Sequence, residues 1–257
     1  MEKNAIKLCN VTKKFGTTVI SNGVTLEIPQ GKMTVIIGRS GEGKSVLLKQ
    51  IVGLIPPTSG SIYINDIDIT TSSEKDFLQA TKNVGYVFQF AALLDSLTVF
   101  ENVGITLLEQ KKALESVEEI VRQKLTLVNL DPDTTMNKYP SELSGGMRKR
   151  VGLARTLVTQ PSIILYDEPT TGLDPVTTTV IHELMSRMQK SLGVTSLVVS
   201  HDIEIFKYAD YVALLYEGQI KYFGPASTIW QSENEYVYQF IRGQTVGPIG
   251  TDLAQQE

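Results

Sequence analysis

The sequence predicts an α/β fold interrupted by a helical insertion, and three observations carry that prediction. Apolar runs of strand length occur at Met33–Ile37, Ile163–Tyr166 and Val212–Tyr216. Between about residues 91 and 158 the apolar period becomes helical, and beyond it strands and helices alternate again. The chain has 257 residues, enough for one large domain or two small ones with a sizeable core. Hydrophobic residues make up 42% and charged residues 20%, the balance of a globular protein and not a disordered one.

The elements follow in order. Ile6 and Leu8, then the alternating Val24, Leu26 and Ile28, predict two half-buried strands, with a turn expected at Asn22-Gly23. Met33–Ile37 is a continuous apolar run closed by Gly38, as in a strand buried on both faces. Helical character runs from Lys44 to Gly53, where Pro56-Pro57 and Ser59-Gly60 break it. Residues 61–64 form a hairpin arm before Asn65-Asp66.

Within the insertion, Leu114, Val117, Ile120, Val121, Leu125 and Val128 fall on one helical stripe with charges off it. Ser162–Asp167 reads as a strand, and Asp174-Pro175 as a cap with proline at the first helical position. That helix ends near Gly193, a strand follows at Thr195–Ser200, and Glu217-Gly218 turns a hairpin between Tyr211–Tyr216 and Gln219–Phe223. Residues 243–257 read as a polar tail.

Charge and composition exclude some classes. The formal net charge is −4 with a pI near 5.4, so the basic footprint of a nucleic-acid binder is absent. No run approaches the ~18 apolar residues of a membrane helix, and the first residues lack a signal-peptide core. A soluble, cytoplasmic chain is expected. Cys9, alone of its type, reads as a small buried hydrophobe.

Residues 38–45 (GRSGEGKS) match G-x-x-x-x-G-K-[ST] between a buried strand and a helix. Gly38, Gly41 and Gly43 let the backbone curl so that successive N–H groups face phosphate oxygens, and the helix N-terminus adds positive potential. Arg39, Ser40, Glu42 and Val46 complete the loop, with the Glu42 carboxylate expected to point away from a triphosphate. Lys44 reaches the β/γ-phosphates and Ser45 ligates Mg²⁺. An apolar strand ending in Asp167-Glu168 supplies a Mg²⁺-shell carboxylate and then a general base for water. Ser144-Gly145-Gly146-Met147 opens a further helix stripped of bulk, a second candidate phosphate cradle, while Arg148, Lys149 and Arg150 read as a solvated face.

These segments, in this order, resemble the ATP-binding-cassette (ABC) nucleotide-binding subunits over about residues 5–245. The resemblance implies a P-loop ABC ATPase fold: a mostly parallel core sheet, an antiparallel β part and an inserted helical subdomain within one domain, 1–242. It implies that Ser144, Gly145, Gly146 and Met147 form the signature motif, which binds the ATP held by the other subunit. Gln89, 45 residues after Lys44, matches the Q-loop and its metal contact; Asp174 matches the D-loop. His201, 33 residues after Glu168, matches the switch histidine, and Phe15 falls where an aromatic ring stacks on adenine. His182 matches no motif and reads as structural.

Residues 43–49 (GKSVLLK), 88–103 and 139–150, with the tail from Phe240 to Ile249, are similar to the Mla/Mce phospholipid-transport ATPases. Val46 and Met147 depart from cassettes at large and agree with that group. The similarity implies ATP and Mg²⁺, a homodimer, an integral-membrane permease, an Mce-domain protein and in many relatives a STAS-domain protein, on the cytoplasmic side of the inner membrane. Other readings are a subunit for amino acids, metals or peptides, a non-transport cassette, or an idle interaction module; the intact Lys44, Asp167, Glu168 and His201 argue against the last. For the tail, residues 243–257, two readings stand side by side: a free end, or a segment that reaches across a dimer to the other subunit.

Overall fold

Among the described residues, 3–250 in this computed structural model, strands and helices follow one another in a regular order. They are β1 (Asn4–Phe15), β2 (Thr18–Pro29), β3 (Met33–Ile37), α1 (Lys44–Ile51), β4 (Ser59–Ile64), β5 (Ile67–Asp68) and α2 (Glu74–Thr81). Then come β6 (Val84–Val87), α3 (Val99–Glu109), α4 (Leu114–Leu127), α5 (Pro132–Thr135), α6 (Gly145–Leu157), β7 (Ile163–Asp167) and α7 (Pro175–Leu192). The chain closes with β8 (Thr195–Ser200), β9 (Tyr211–Tyr216), β10 (Gln219–Pro225) and α8 (Glu235–Arg242). It divides into one unit of residues 3–82 with 195–250 and another of residues 83–194. No helix among the described residues is long and apolar enough to cross a membrane.

In the first unit, β1 and β2 pair antiparallel, and β1 also pairs with β4. The hairpin turns at Gly16-Thr17, with Phe15 opposite Thr18 and Gly16 at φ +59°. Asn22-Gly23, expected to be that turn, lies inside β2. The register slips there by one residue between the Val11–Val24 and Lys13–Ser21 pairs, and Gly23 at φ +69° supplies the left-handed conformation of a bulge. Cys9 is exposed and not buried, because the two-residue strand period sends it to the face opposite the fully buried Leu8. The Asn65-Asp66 turn to β5 is as expected, with both residues at positive φ.

The five residues of β3 are all buried, and β8 and β9 flank it in parallel. A strand covered on both faces needs no alternation, which explains the unbroken apolar run. β10 extends this sheet antiparallel to β9. Residues 243–250 dock on their own unit. The buried Gln239 side chain accepts from Ile249 N (2.7 Å) and donates to Ile249 O (3.0 Å). Gly250 N donates to the Tyr216 hydroxyl. Residues 251–257, the end of the expected tail, lie outside the described residues.

In the second unit β6 and β7 pair in parallel, and α3, α4 and α6 pack together. Thr98 and Glu101 form a capping box at the start of α3. Gly104 permits the close approach of α3 and α4: a Cβ there would lie 2.8 Å from Val117 Cγ1. Val117, Val121, Leu125 and Val128 bury the expected stripe, but Leu114 is exposed because it opens α4, where no turn precedes it to cover. Asp174 caps α7 as expected, its Oδ1 accepting from Val176 N and Thr177 N, and Gly193 ends that helix at φ +65°. α2 and β6 lack a signal strong enough to read from the sequence: one has eight residues with Ala80 alone buried, the other only four residues.

Candidate functional site

The first unit carries the candidate phosphate loop, residues 38–45. It leaves the fully buried β3 at Gly38, where a Cβ would meet Leu215 O at 2.4 Å. Gly41 and Gly43 take φ of +87° and +86°, which L side chains rarely adopt. Gly43 also has no room, since a Cβ would lie 2.5 Å from Ile20 Cγ2. No side chain caps α1, so its first turn presents backbone N–H groups to a ligand. Lys44 is buried and its ammonium donates to Gly38 O (2.8 Å) and Arg39 O (2.9 Å), which holds the cation inside the curl of the loop. The Glu42 carboxylate accepts from Glu217 N at 2.7 Å in the β9–β10 turn, so its negative charge is tied to that hairpin. Arg39 donates to Gly250 O, and Ser40 lies exposed on the loop. Ser45 and Val46 are half-buried in the first turn of α1.

Two further expected residues lie in this unit. Phe15 ends β1 about half exposed, with the Lys13 ammonium 4.8 Å from its ring centroid. His201 is exposed immediately after β8.

The second unit carries the acidic pair. Asp167 ends β7 with 6% exposure, and the Tyr86 hydroxyl donates to its Oδ2 at 2.8 Å from the neighbouring β6. Burial and the Asp167 charge together push the Tyr86 phenol well above its ordinary range, so it acts as a permanent donor. Glu168 follows at φ +48°, a left-handed conformation unusual for a glutamate, and Thr171 Oγ1 donates to its Oε2 at 3.2 Å. Gln89 follows β6 half-buried, between the exposed Phe88 and Phe90. Ser144 caps α6 by accepting from Met147 N (3.2 Å). Gly146 is buried where a Cβ would lie 2.6 Å from Thr177 Cγ2, while Gly145 has only Leu173 at ordinary contact distance. Asp174 is exposed at the start of α7, and His182 is buried in the middle of that helix.

Sequence reasoning missed Tyr86 and misread Lys149. Tyr86 sits in a strand too short to announce itself, and only its pairing with β7 places it on Asp167. Lys149 is not on a solvated face: it is buried, and its ammonium donates to Gln89 O.

The family model described as ABC transporter matches residues 21–171, more than half of the chain. The chain belongs to the ABC transporter family. The cassette is 41% identical over 255 residues to the probable ribonucleotide transport ATP-binding protein mkl of Mycobacterium leprae, covering 98% of this chain and 73% of that protein. It is 37% identical over 251 residues to the intermembrane phospholipid transport system ATP-binding protein MlaF of Haemophilus influenzae, covering 97% and 94% of the two chains. Among solved structures, a dimeric post-hydrolysis state of the ATP-binding cassette MJ0796 bound to ADP and Pi matches with a TM-score of 0.78 at 32% identity, over 86% of this chain and 98% of that one. The cassette is thus the ATPase subunit of an ABC transporter, using ATP and Mg²⁺. Cassettes of this family dimerise and work with a membrane permease.

Proposed function

We propose that the cassette, residues 1–242, drives the movement of phospholipids across or between bacterial envelope membranes, as a homodimer on a separate permease at the cytoplasmic face of the inner membrane. The observation that carries the cargo is the match to the Haemophilus influenzae phospholipid transport protein along nearly all of both chains. Val46 and Met147, the two departures from cassettes at large, point the same way. An Mce-domain protein and a STAS-domain protein complete the proposed assembly.

The assigned roles follow from the residues. Gly38 to Ser45 wrap the triphosphate with backbone N–H groups, and Lys44 moves its ammonium from two loop carbonyls to the β/γ-phosphates. Phe15 stacks on adenine. Ser45, Gln89 and Asp167 would hold Mg²⁺, which would supply charge neutralisation at the phosphates. Their chemistry fits: a serine hydroxyl, a glutamine amide oxygen and a buried aspartate carboxylate are hard oxygen donors, and Mg²⁺ takes few protein ligands beside phosphate and water. Glu168 polarises the attacking water and His201 reads the γ-phosphate. Ser144, Gly145, Gly146 and Met147 contact the ATP bound by the other subunit, and Asp174 lies at that junction. ATP favours the closed dimer by its differential affinity for that state, and hydrolysis releases it.

The test is an affinity pull-down of Glu168→Gln with ATP from detergent-solubilised native membranes, with partners and lipids identified by mass spectrometry. A permease, an Mce-domain protein and enriched phospholipid support the proposal. A permease with a periplasmic solute receptor overturns the cargo, and ribosomes or no membrane partner overturn the transport role.

A further inference from the structure

One row of α6 lies along the segment that carries Gln89. Lys149, Gly152 and Arg155 are spaced by three, so they share a helix face. The Lys149 ammonium donates to Gln89 O and lies 3.5 Å from Glu168 O. At Gly152 a Cβ would come 3.1 Å from Ala91 Cβ, tighter than ordinary contact, so α6 runs close against the Ala91 segment. Arg155 donates to Ala91 O (2.8 Å) and Ala92 O (2.7 Å).

The backbone on the far side of these contacts is unusual. Ala91, Ala92 and Glu168 have φ of +61°, +47° and +48°, three non-glycine residues in the left-handed region. Each offers a carbonyl toward a cation of α6. Such conformations persist where surrounding contacts over-determine them, and charge-assisted donors are the stronger kind. Lys149 lines a small, mostly apolar cavity together with Val87, Leu153, Tyr166 and Met185. Burial lowers the Lys149 pKa, with the Glu168 and Asp167 charges pulling the other way.

We propose that Lys149 is a positioning residue that sets the backbone at Gln89 and at Glu168 in one register, from the helix that opens at Ser144. The proposal rests on the roles given above to Gln89 and Glu168. It makes one side chain responsible for the placement of both the metal-facing segment and the water-activating carboxylate. The Lys149 ammonium meets backbone carbonyls, and the residue lies outside the loop proposed to wrap the triphosphate.

The experiment uses the full chain with two variants. Lys149→Met keeps the apolar stem and removes the donor; Lys149→Gln restores a neutral donor. Hydrogen exchange without nucleotide reads the Ala91 amide, which donates to Phe88 O, and the Thr171 amide, which donates to Glu168 O. Lys149→Met is expected to speed exchange at both, and Lys149→Gln to restore part of the protection. Loss at only one site, or at neither, overturns the proposal. In steady-state hydrolysis, Lys149→Met is expected to lower kcat ~10- to 100-fold while ATP affinity stays within about threefold, the signature of misplaced groups and not of lost binding. A kcat within about twofold of the parent also overturns it, as does a parallel loss of kcat and affinity that Lys149→Gln leaves unrelieved. If the parent shows no turnover that Glu168→Gln removes, the assigned chemistry has failed, and the exchange result still decides on Lys149.

Discussion

Replacing Tyr86 by phenylalanine isolates one hydrogen bond to a buried charge. The ring stays, with its 4.5 Å centroid contact to Phe88, while the hydroxyl 2.8 Å from Asp167 Oδ2 is lost. Asp167 is only 6% exposed, so water cannot easily replace that donor. Hydrogen bonds to charged groups contribute about 1.5–3 kcal/mol. Tyr86→Phe should therefore lower unfolding free energy by about 2 kcal/mol, roughly a 30-fold change in the folding equilibrium. Denaturant unfolding of the full chain, with an unchanged slope, measures it. A loss below ~0.5 kcal/mol would refute the claim that the phenol supports a buried carboxylate.

The same bond has an alkaline arm. Burial first, and the Asp167 charge second, raise the Tyr86 pKa above its ordinary 10.0. The unfolded chain then loses this proton at a pH where the folded chain keeps it. The contribution is fully present below pH 10.0 and is lost as pH rises above it, by up to about 1.4 kcal/mol per pH unit. The parent should lose stability above that pH more steeply than Tyr86→Phe, and parallel curves would contradict the assignment.

Two other outcomes are expected. Gly146→Ala puts a Cβ 2.6 Å from Thr177 Cγ2 and should cost about 1–3 kcal/mol in thermal or denaturant unfolding; adding Thr177→Ser, which removes that methyl, should recover most of it. Gln239→Ala removes the side chain that holds Ile249 at both its N–H and its carbonyl, so limited trypsin digestion should cut after Arg242 several-fold faster; an unchanged rate would show that residues 243–250 are held by something else.

The parts of this molecule that were legible in the sequence are those where a local pattern carries the physics. The run Met33–Ile37 closed by Gly38 marks the buried β3, and the spaced glycines after it mark the tight turn into α1. Asp174-Pro175 and Gly193 marked both ends of α7 because capping is decided within one turn. What escaped depends on distant partners. Asn22-Gly23 has the composition of a turn, yet pairing with β1 makes it a bulge. Lys149 looks solvated beside Arg148 and Arg150, and only the fold brings carbonyls from residues 60 and 19 positions away to its ammonium. Cys9 could be placed only once Leu8 had claimed the inner face.

The docking of residues 243–250 bears on how the protein is handled. Gly250 accepts from Arg39 in the glycine-rich loop after β3, so the docked segment touches that loop directly. A truncation that removes residues 243–250 therefore also removes a contact to that loop, and any change in turnover it brings need not come from a residue that meets the nucleotide.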